Sequence, residues 1–184
     1  KINLSNPTGQ IIGKAIKNNI SLYAAHTNMD NISGGINSIL CDKLGLINTE
    51  FLKPKKGILR KLVTFCPKDH SDKVREAMFS AGAGYIGNYR SCSFNASGQG
   101  TFLATENTHP FVGEINKLHY ENETRIETVF PAHLEQKVIA AMLKNHPYEE
   151  VAYDIYTLEN NYAKAGEGMT GFLEKELPSE AFLK

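Results

Sequence analysis

The chain has 184 residues, enough for one ordinary domain or two small ones. Hydrophobic residues make up 41% and charged residues 22%, which is ordinary globular usage and excludes wholesale disorder. Twenty basic residues balance twenty acidic ones, so charge gives no case for a nucleic-acid partner.

The first elements alternate between helix and strand. Ile11, Ile12, Ala15 and Ile16 suit one face of a helix. Ile20–Ala25 reads as a short buried strand, and Asn37–Leu44 as a second helix opened by Gly34-Gly35. Lys53-Pro-Lys-Lys56 reads as a solvated linker. This order predicts an α/β layer with a parallel sheet. With one clear strand it cannot bury a doubly wound core, so residues 1–57 are expected to need sheet partners outside these 184 residues.

The middle is a duplication. Leu62–Phe94 lies over Ile126–Leu158 without a gap, with identities at Thr64/Thr128, Pro67/Pro131, Lys73/Lys137, Val74/Val138, Ala77/Ala141, Met78/Met142 and Tyr89/Tyr153. Each copy runs from a short apolar strand (Lys61–Cys66, Arg125–Phe130) into a proline that must end it. An amphipathic helix follows in each, then breakers: Gly82-Ala-Gly84 in one copy, His146-Pro147 in the other. A second strand closes each copy, over Tyr85–Phe94 and Val151–Leu158. A tandem βαβ pair of this length predicts a ferredoxin-like sandwich with both helices on one face. Ser97–Glu123, bearing Gly98, Gly100, Pro110 and Gly113, is expected to add a hairpin and loops at an edge. Asn160–Gly171 reads as a glycine-bearing loop before a short helix-like tail. The expected organisation is thus 1–57, an inserted domain at 58–158, and 159–184 resuming the first. An opening Lys1 and a closing helix start suggest a fragment.

No apolar run approaches the roughly 20 residues of a membrane span, and the opening residues lack the apolar core of a signal peptide. Cys41, Cys66 and Cys92 share no Cys-x-x-Cys spacing, and their odd number argues against a disulfide framework. The sequons at Asn31, Asn95 and Asn122 then read as chance, and the cytoplasm as the expected location.

Chemistry concentrates in Tyr23-Ala-Ala-His26-Thr-Asn-Met-Asp30, where a strand end delivers an imidazole and a carboxylate into a loop. Ligands of α/β sheets gather beyond such strand ends. These donor types suit zinc, iron or manganese, and a carboxylate can bridge two cations. The alternative is structural: Asp30 caps the turn and His26 bonds to backbone. A second candidate is His146-Pro147-Tyr148-Glu149-Glu150, where His146, Glu149 and Glu150 could hold a cation or small ligand. Its alternative is a proline turn with polar residues at a strand's entry. Arg125 and Glu127 alternate along a strand and suit cross-sheet pairing. His70, His109, His119 and His133 have no ligand spacing. Gly166-x-Gly168-x-x-Gly171 mimics a dinucleotide fingerprint, but Pro178 cuts short any helix after it.

His26-Thr-x-x-Asp30 followed by Gly34-Gly-x-Asn37 resembles the motif of the Nif-three-like family, also called dinuclear metal centre proteins or GTP cyclohydrolase I type 2 homologues. Val74-Arg-Glu-Ala77, Gly82-Ala-Gly-x-Ile-Gly-x-Tyr89, Gly98-x-Gly-Thr-Phe102, Arg125-Ile-Glu127 and His146-Pro-Tyr-Glu-Glu150 resemble the PII-like (CutA-like) domain inserted in its longer members. Gly166-x-Gly168-x-x-Gly171 resembles the point where the second half resumes. The resemblance implies part of an interrupted α/β domain plus an inserted ferredoxin-like α+β domain. It implies Asp30 as a direct metal ligand with His26 in or beside the site, and two divalent ions per full subunit. The remaining ligands would be a His-His pair before residue 1 and a His-x-x-x-Glu pair after residue 184. It further implies a homo-oligomer, a hexamer or trimer of dimers. Two functions follow: a metal-dependent hydrolase with an unsettled small-molecule substrate, or a non-enzymatic regulatory or assembly module acting through the PII-like domain. No catalytic residue is assigned.

Overall fold

The computed structural model describes residues 2–183. The chain forms two compact units: Pro54–Ala163, and the flanks up to Lys53 and from Lys164.

The central unit takes β2 (Leu59–Pro67), α3 (Ser71–Ser80), β3 (Ser93–Leu103), β4 (Leu118–Pro131), α4 (Glu135–Asn145) and β5 (Tyr153–Leu158). Its sheet has the order β3-β4-β2-β5 with every neighbouring pair antiparallel. Each βαβ crossover therefore skips one strand, and the two copies interleave: this is the ferredoxin-like arrangement. The duplication is visible in three dimensions. Pro67 and Pro131 end their strands, and one 3-10 turn follows each, at Lys68–His70 and Ala132–Leu134. Matched positions Leu62/Ile126, Val74/Val138 and Met78/Met142 are all fully buried in one cluster with Cys66, Ala81, Ala83 and Phe130. The helix stripes were legible because both helices bury the same face against the same side of the sheet.

The copies part company after α3. Tyr85–Cys92 is loop, and β3 starts only at Ser93, later than the repeat predicts. Gly84, Gly87 and Ser91 have φ of 79°, 56° and 57°, left-handed backbone at three positions so close together that no regular strand runs through them. The expected edge loops are likewise shorter: β3 continues through Gly98 and Gly100 to Leu103, and β4 begins at Leu118.

The flanking unit holds α1 (Pro7–Lys17), α2 (Ile36–Lys43), β1 (Leu46–Lys55), β6 (Tyr162–Leu173) and the short α5 (Ser179–Phe182). Asn6 caps α1, its side chain accepting from the Gly9 amide at 2.7 Å, with Pro7 at the first helical position. Three sequence expectations change here. Lys53–Lys56 is not a linker but mostly the end of β1, and Asn160–Gly171 is not a loop but largely β6, which pairs with β1. Gly166 lets the two backbones close up, since a Cβ there would meet the Lys53 carbonyl and the Phe51 ring. The Gly-x-Gly-x-x-Gly run therefore lies inside a strand, not at the strand-to-helix turn that a pyrophosphate needs. Finally, Ile20–Ala25 forms no strand and pairs with none among the described residues, and Ile20, Leu22 and Tyr23 are exposed. The apolar face of α1 is also mostly uncovered at Ile11 and Ile16.

Candidate functional site

The loop from His26 to Asn37 is held by its backbone. The Asp30 amide donates to the Thr27 carbonyl at 3.2 Å, Gly35 to Ile32 at 3.0 Å, and Ile36 to Met29 at 2.9 Å. Asn37 Nδ2 donates to the Asp30 carbonyl at 2.9 Å. Ile32 bridges to Ala165 of β6, flanked by Ser33 N–H to Lys164 O and Gly166 N–H to Asn31 O. Gly35 is buried, and only glycine fits there, since a Cβ would strike the carbonyls of Met29 and Ile32. Gly34 sits at φ 77° and donates its amide to Ser38 Oγ. The Gly-Gly-x-Asn string is thus the mould of this loop.

What the mould leaves over is chemical. The Asp30 carboxylate and the His26 imidazole take no hydrogen bond or ion pair among the described residues; Asp30 is half-buried and His26 exposed. The loop is fastened through the carbonyl of Asp30, not its side chain. Carboxylate and imidazole are the right donor types for zinc, iron or manganese. They are too few: among the described residues no group of three or more His, Cys, Asp or Glu is placed to hold a metal ion. The described residues do not make a closed metal centre by themselves.

The second candidate divides. His146 is buried, its Nε2 at 2.9 Å from the Phe65 carbonyl and its Nδ1 at 3.1 Å from the Tyr148 amide. The carbonyl needs a donor and the amide an acceptor, so the ring is the neutral Nε2–H tautomer with no lone pair to spare. Burial, then the nearby His70, hold its pKa below the usual histidine value, against the pull of the Phe65 carbonyl. His146 is therefore a pin between the end of β2 and the corner before β5, not a ligand alongside Glu149 and Glu150. Those two carboxylates instead line a cavity of about 600 Å³ in the central unit, whose walls include Phe65, Phe102, Glu123 and Tyr148. Glu149 accepts the His109 amide at 2.8 Å.

Sequence reasoning missed the pair at the heart of that cavity. Tyr148 OH donates to Glu123 Oε1 at 2.8 Å, and burial together with this carboxylate pushes the phenol well above its usual range. The other Glu123 oxygen rests over Gly100, where a Cβ would have to stand. Burial and Glu123 also push the Cys66 thiol up to about 12. The available signal was Gly98 and Gly100, two apart in a strand, a spacing that marks close approach over one face. Arg125 bonds Glu127 at 2.9 Å on its own strand, and Lys61 reaches Glu127 from β2 at 2.9 Å. The Lys61 hydrogen bond first, then the charges of Lys61 and Arg125, keep Glu127 below the usual carboxylate range despite partial burial. Of the scattered histidines, His119 pairs with Glu121 at 2.9 Å and His70 stands edge-on to Phe111.

A duplicated ferredoxin-like module set between two stretches of an α/β unit, the first carrying a His-Thr-x-x-Asp loop moulded by Gly-Gly-x-Asn, defines one class of protein. The Duf34/NIF3 (NGG1p interacting factor 3) family model matches residues 1–184, and the chain belongs to that family. It is 48% identical over 177 residues to the GTP cyclohydrolase 1 type 2 homolog of Halalkalibacterium halodurans, covering 96% of this chain and 48% of that one. To the protein of the same name in Bacillus subtilis it is 44% identical over 182 residues, covering 98% and 49%. The crystal structure of a Bacillus cereus protein related to NIF3 superposes with a TM-score of 0.81 at 45% identity, over 99% of this chain and 48% of that one. The chain thus spans about half the length of the curated relatives it matches. No helix among the described residues is long and apolar enough to cross a membrane.

Proposed function

We propose that this chain supplies Asp30, with His26 beside it, to a divalent-metal site in a metal-dependent hydrolase of the GTP cyclohydrolase 1 type 2 homolog class. One observation carries the reading: the motif residues spend backbone and amide groups on shaping the loop and leave the carboxylate and imidazole unspent. A buried glycine and an asparagine fastened to the Asp30 carbonyl fix where that carboxylate stands. Two donors call for others from outside this chain, with two ions of zinc, iron or manganese per complete subunit. Such ions supply an activated water at neutral pH. The relatives' name makes a purine nucleotide the first substrate class to assay. The test is metal content by mass spectrometry in the protein expressed from its complete reading frame, beside Asp30→Ala. Loss of at least one equivalent is expected, and an undiminished metal content would remove the proposal.

A second reading, self-assembly through the central unit, is favoured by the sheet face opposite the helices. Register puts Phe94 and Tyr156 on that face, both well exposed. A hexamer or trimer of dimers would cover them. Sedimentation of the whole protein should show an oligomer that Phe94→Glu dissociates; an oligomer unmoved by that change counts against this face.

A further inference from the structure

We propose that the cavity on the open face of the central sheet binds a small organic molecule made of a primary ammonium group on a flat apolar body. The proposal does not depend on the metal reading. Register places Ala96, Gly98 and Gly100 of β3 on this face, opposite Arg125, Glu123 and Glu121 of β4. At Ala96 and Gly98 the floor carries no side chain larger than a methyl, and nothing lies within 4 Å of where a Gly98 Cβ would stand, so a planar group can lie against the backbone there, beside the Glu123 carboxylate that covers Gly100. Aromatic rings stand round it: Phe102 and Phe111 each lie 6.3 Å from the Tyr148 ring, centroid to centroid, and Phe65 closes another side. A volume near 600 Å³ falls in the range of small-molecule sites, which are mostly apolar with a few fixed polar groups.

Charge selects the ligand. The carboxylates of Glu123, Glu149 and Glu150 line the cavity against one guanidinium, Arg125, which already bonds Glu127. Glu123 has no cationic partner among the described residues, and the Tyr148 hydroxyl orients it through Oε1 while Oε2 stays over Gly100. An ammonium offers three donors to such a carboxylate and is attracted to the aromatic faces as well. An anion of the same shape would meet repulsion, and a neutral ring would leave Glu123 unpaired.

The probe is 2-phenylethylammonium, titrated into the ¹⁵N-labelled chain and followed by amide shifts. Movement is expected at Gly98, Gly100 and Thr101, with none from 3-phenylpropanoate, which has a similar body and the opposite charge. Glu123→Gln should weaken the ammonium about tenfold or more while the rest of the spectrum stands still, as expected for losing a hydrogen bond to a charged group. Gly100→Ala, which must push the carboxylate aside, should weaken it too. Silence at those amides, equal shifts from the anion, or unchanged affinity in Glu123→Gln would each overturn the proposal. Should Glu123→Gln fail to fold, Ala96→Phe, which fills the floor, decides: retained binding there overturns the proposal and lost binding supports it.

Discussion

His146 makes a pH-dependent contribution whose sign is fixed by its two bonds. In the folded chain the ring is neutral, because protonation would aim an Nδ1–H at the Tyr148 amide and charge a buried group. Unfolded, it titrates near 6.5. Between that value and its depressed folded pKa the unfolded chain binds one proton more, so stability is complete above about pH 6.5 and falls as the pH drops through the window. The slope approaches about 1.4 kcal/mol per pH unit while only the unfolded form is protonated. His146→Ala abolishes that slope and carries its own cost. It leaves the Phe65 carbonyl and the Tyr148 amide without partners, at about 1–3 kcal/mol each if both stay dry. Water entering the vacated space would satisfy part of that, so about 2–4 kcal/mol is expected. Urea unfolding at several pH values between 5 and 8, at constant m, reads both quantities. The difference between wild type and variant cancels the carboxylates that titrate in both. If that difference stays the same from pH 8 down to 5, His146 is not held neutral and the reasoning fails.

The matched core positions should be costly in both copies. Met78→Ala and Met142→Ala each leave a fully buried gap, and each should lose about 2–5 kcal/mol by chemical denaturation. The thiols should separate by reactivity. Cys66 is buried with its thiol pushed up to about 12, whereas Cys92 is only half-buried, so iodoacetamide at pH 8 should modify Cys92 first. Labelling of Cys66 in the native protein at a comparable rate would contradict its burial.

The sequence was most legible where local pattern and burial agree. Val74, Met78, Val138 and Met142 recur at helical spacing because two helices share one core, and Pro67 and Pro131 stop two strands at the same point of the repeat. Legibility failed where a strand depends on its partner's backbone more than on its own side chains. Gly166 and Gly171 look like loop residues until β1 is laid against them, and Lys53-Pro-Lys looks like a linker until β6 is there to pair with it. Ile20–Ala25 shows the converse: the composition of a buried strand, with no strand beside it among the described residues. At the metal-motif loop, residue types and spacing pointed to Asp30. Only the geometry showed that Gly35 and Asn37 serve the backbone and so leave the carboxylate free.

Comparing the two copies with each other separates scaffold from site. Val74/Val138 and Met78/Met142, where they agree, are buried and need only fit the shared core, while Lys73/Lys137 and Tyr89/Tyr153 agree at the surface. The corners after the helices disagree. Gly82 and Gly84 in the first copy correspond to His146 and Tyr148 in the second. In the first copy a glycine is required at position 84, where a Cβ would meet the Phe79 ring. In the second the same place carries the pin to Phe65 and the hydroxyl that orients Glu123. The hairpin diverges too, since β4 begins at Leu118, before the stretch that β2 matches, and β3 extends beside it to Leu103. That added length, with glycines at 98 and 100, makes the floor on which Glu123 lies. A duplicated βαβ unit alone would give the core without the cavity. The cavity arises where the second copy stopped resembling the first, and that is where selection on a ligand would act without disturbing the packing both copies need.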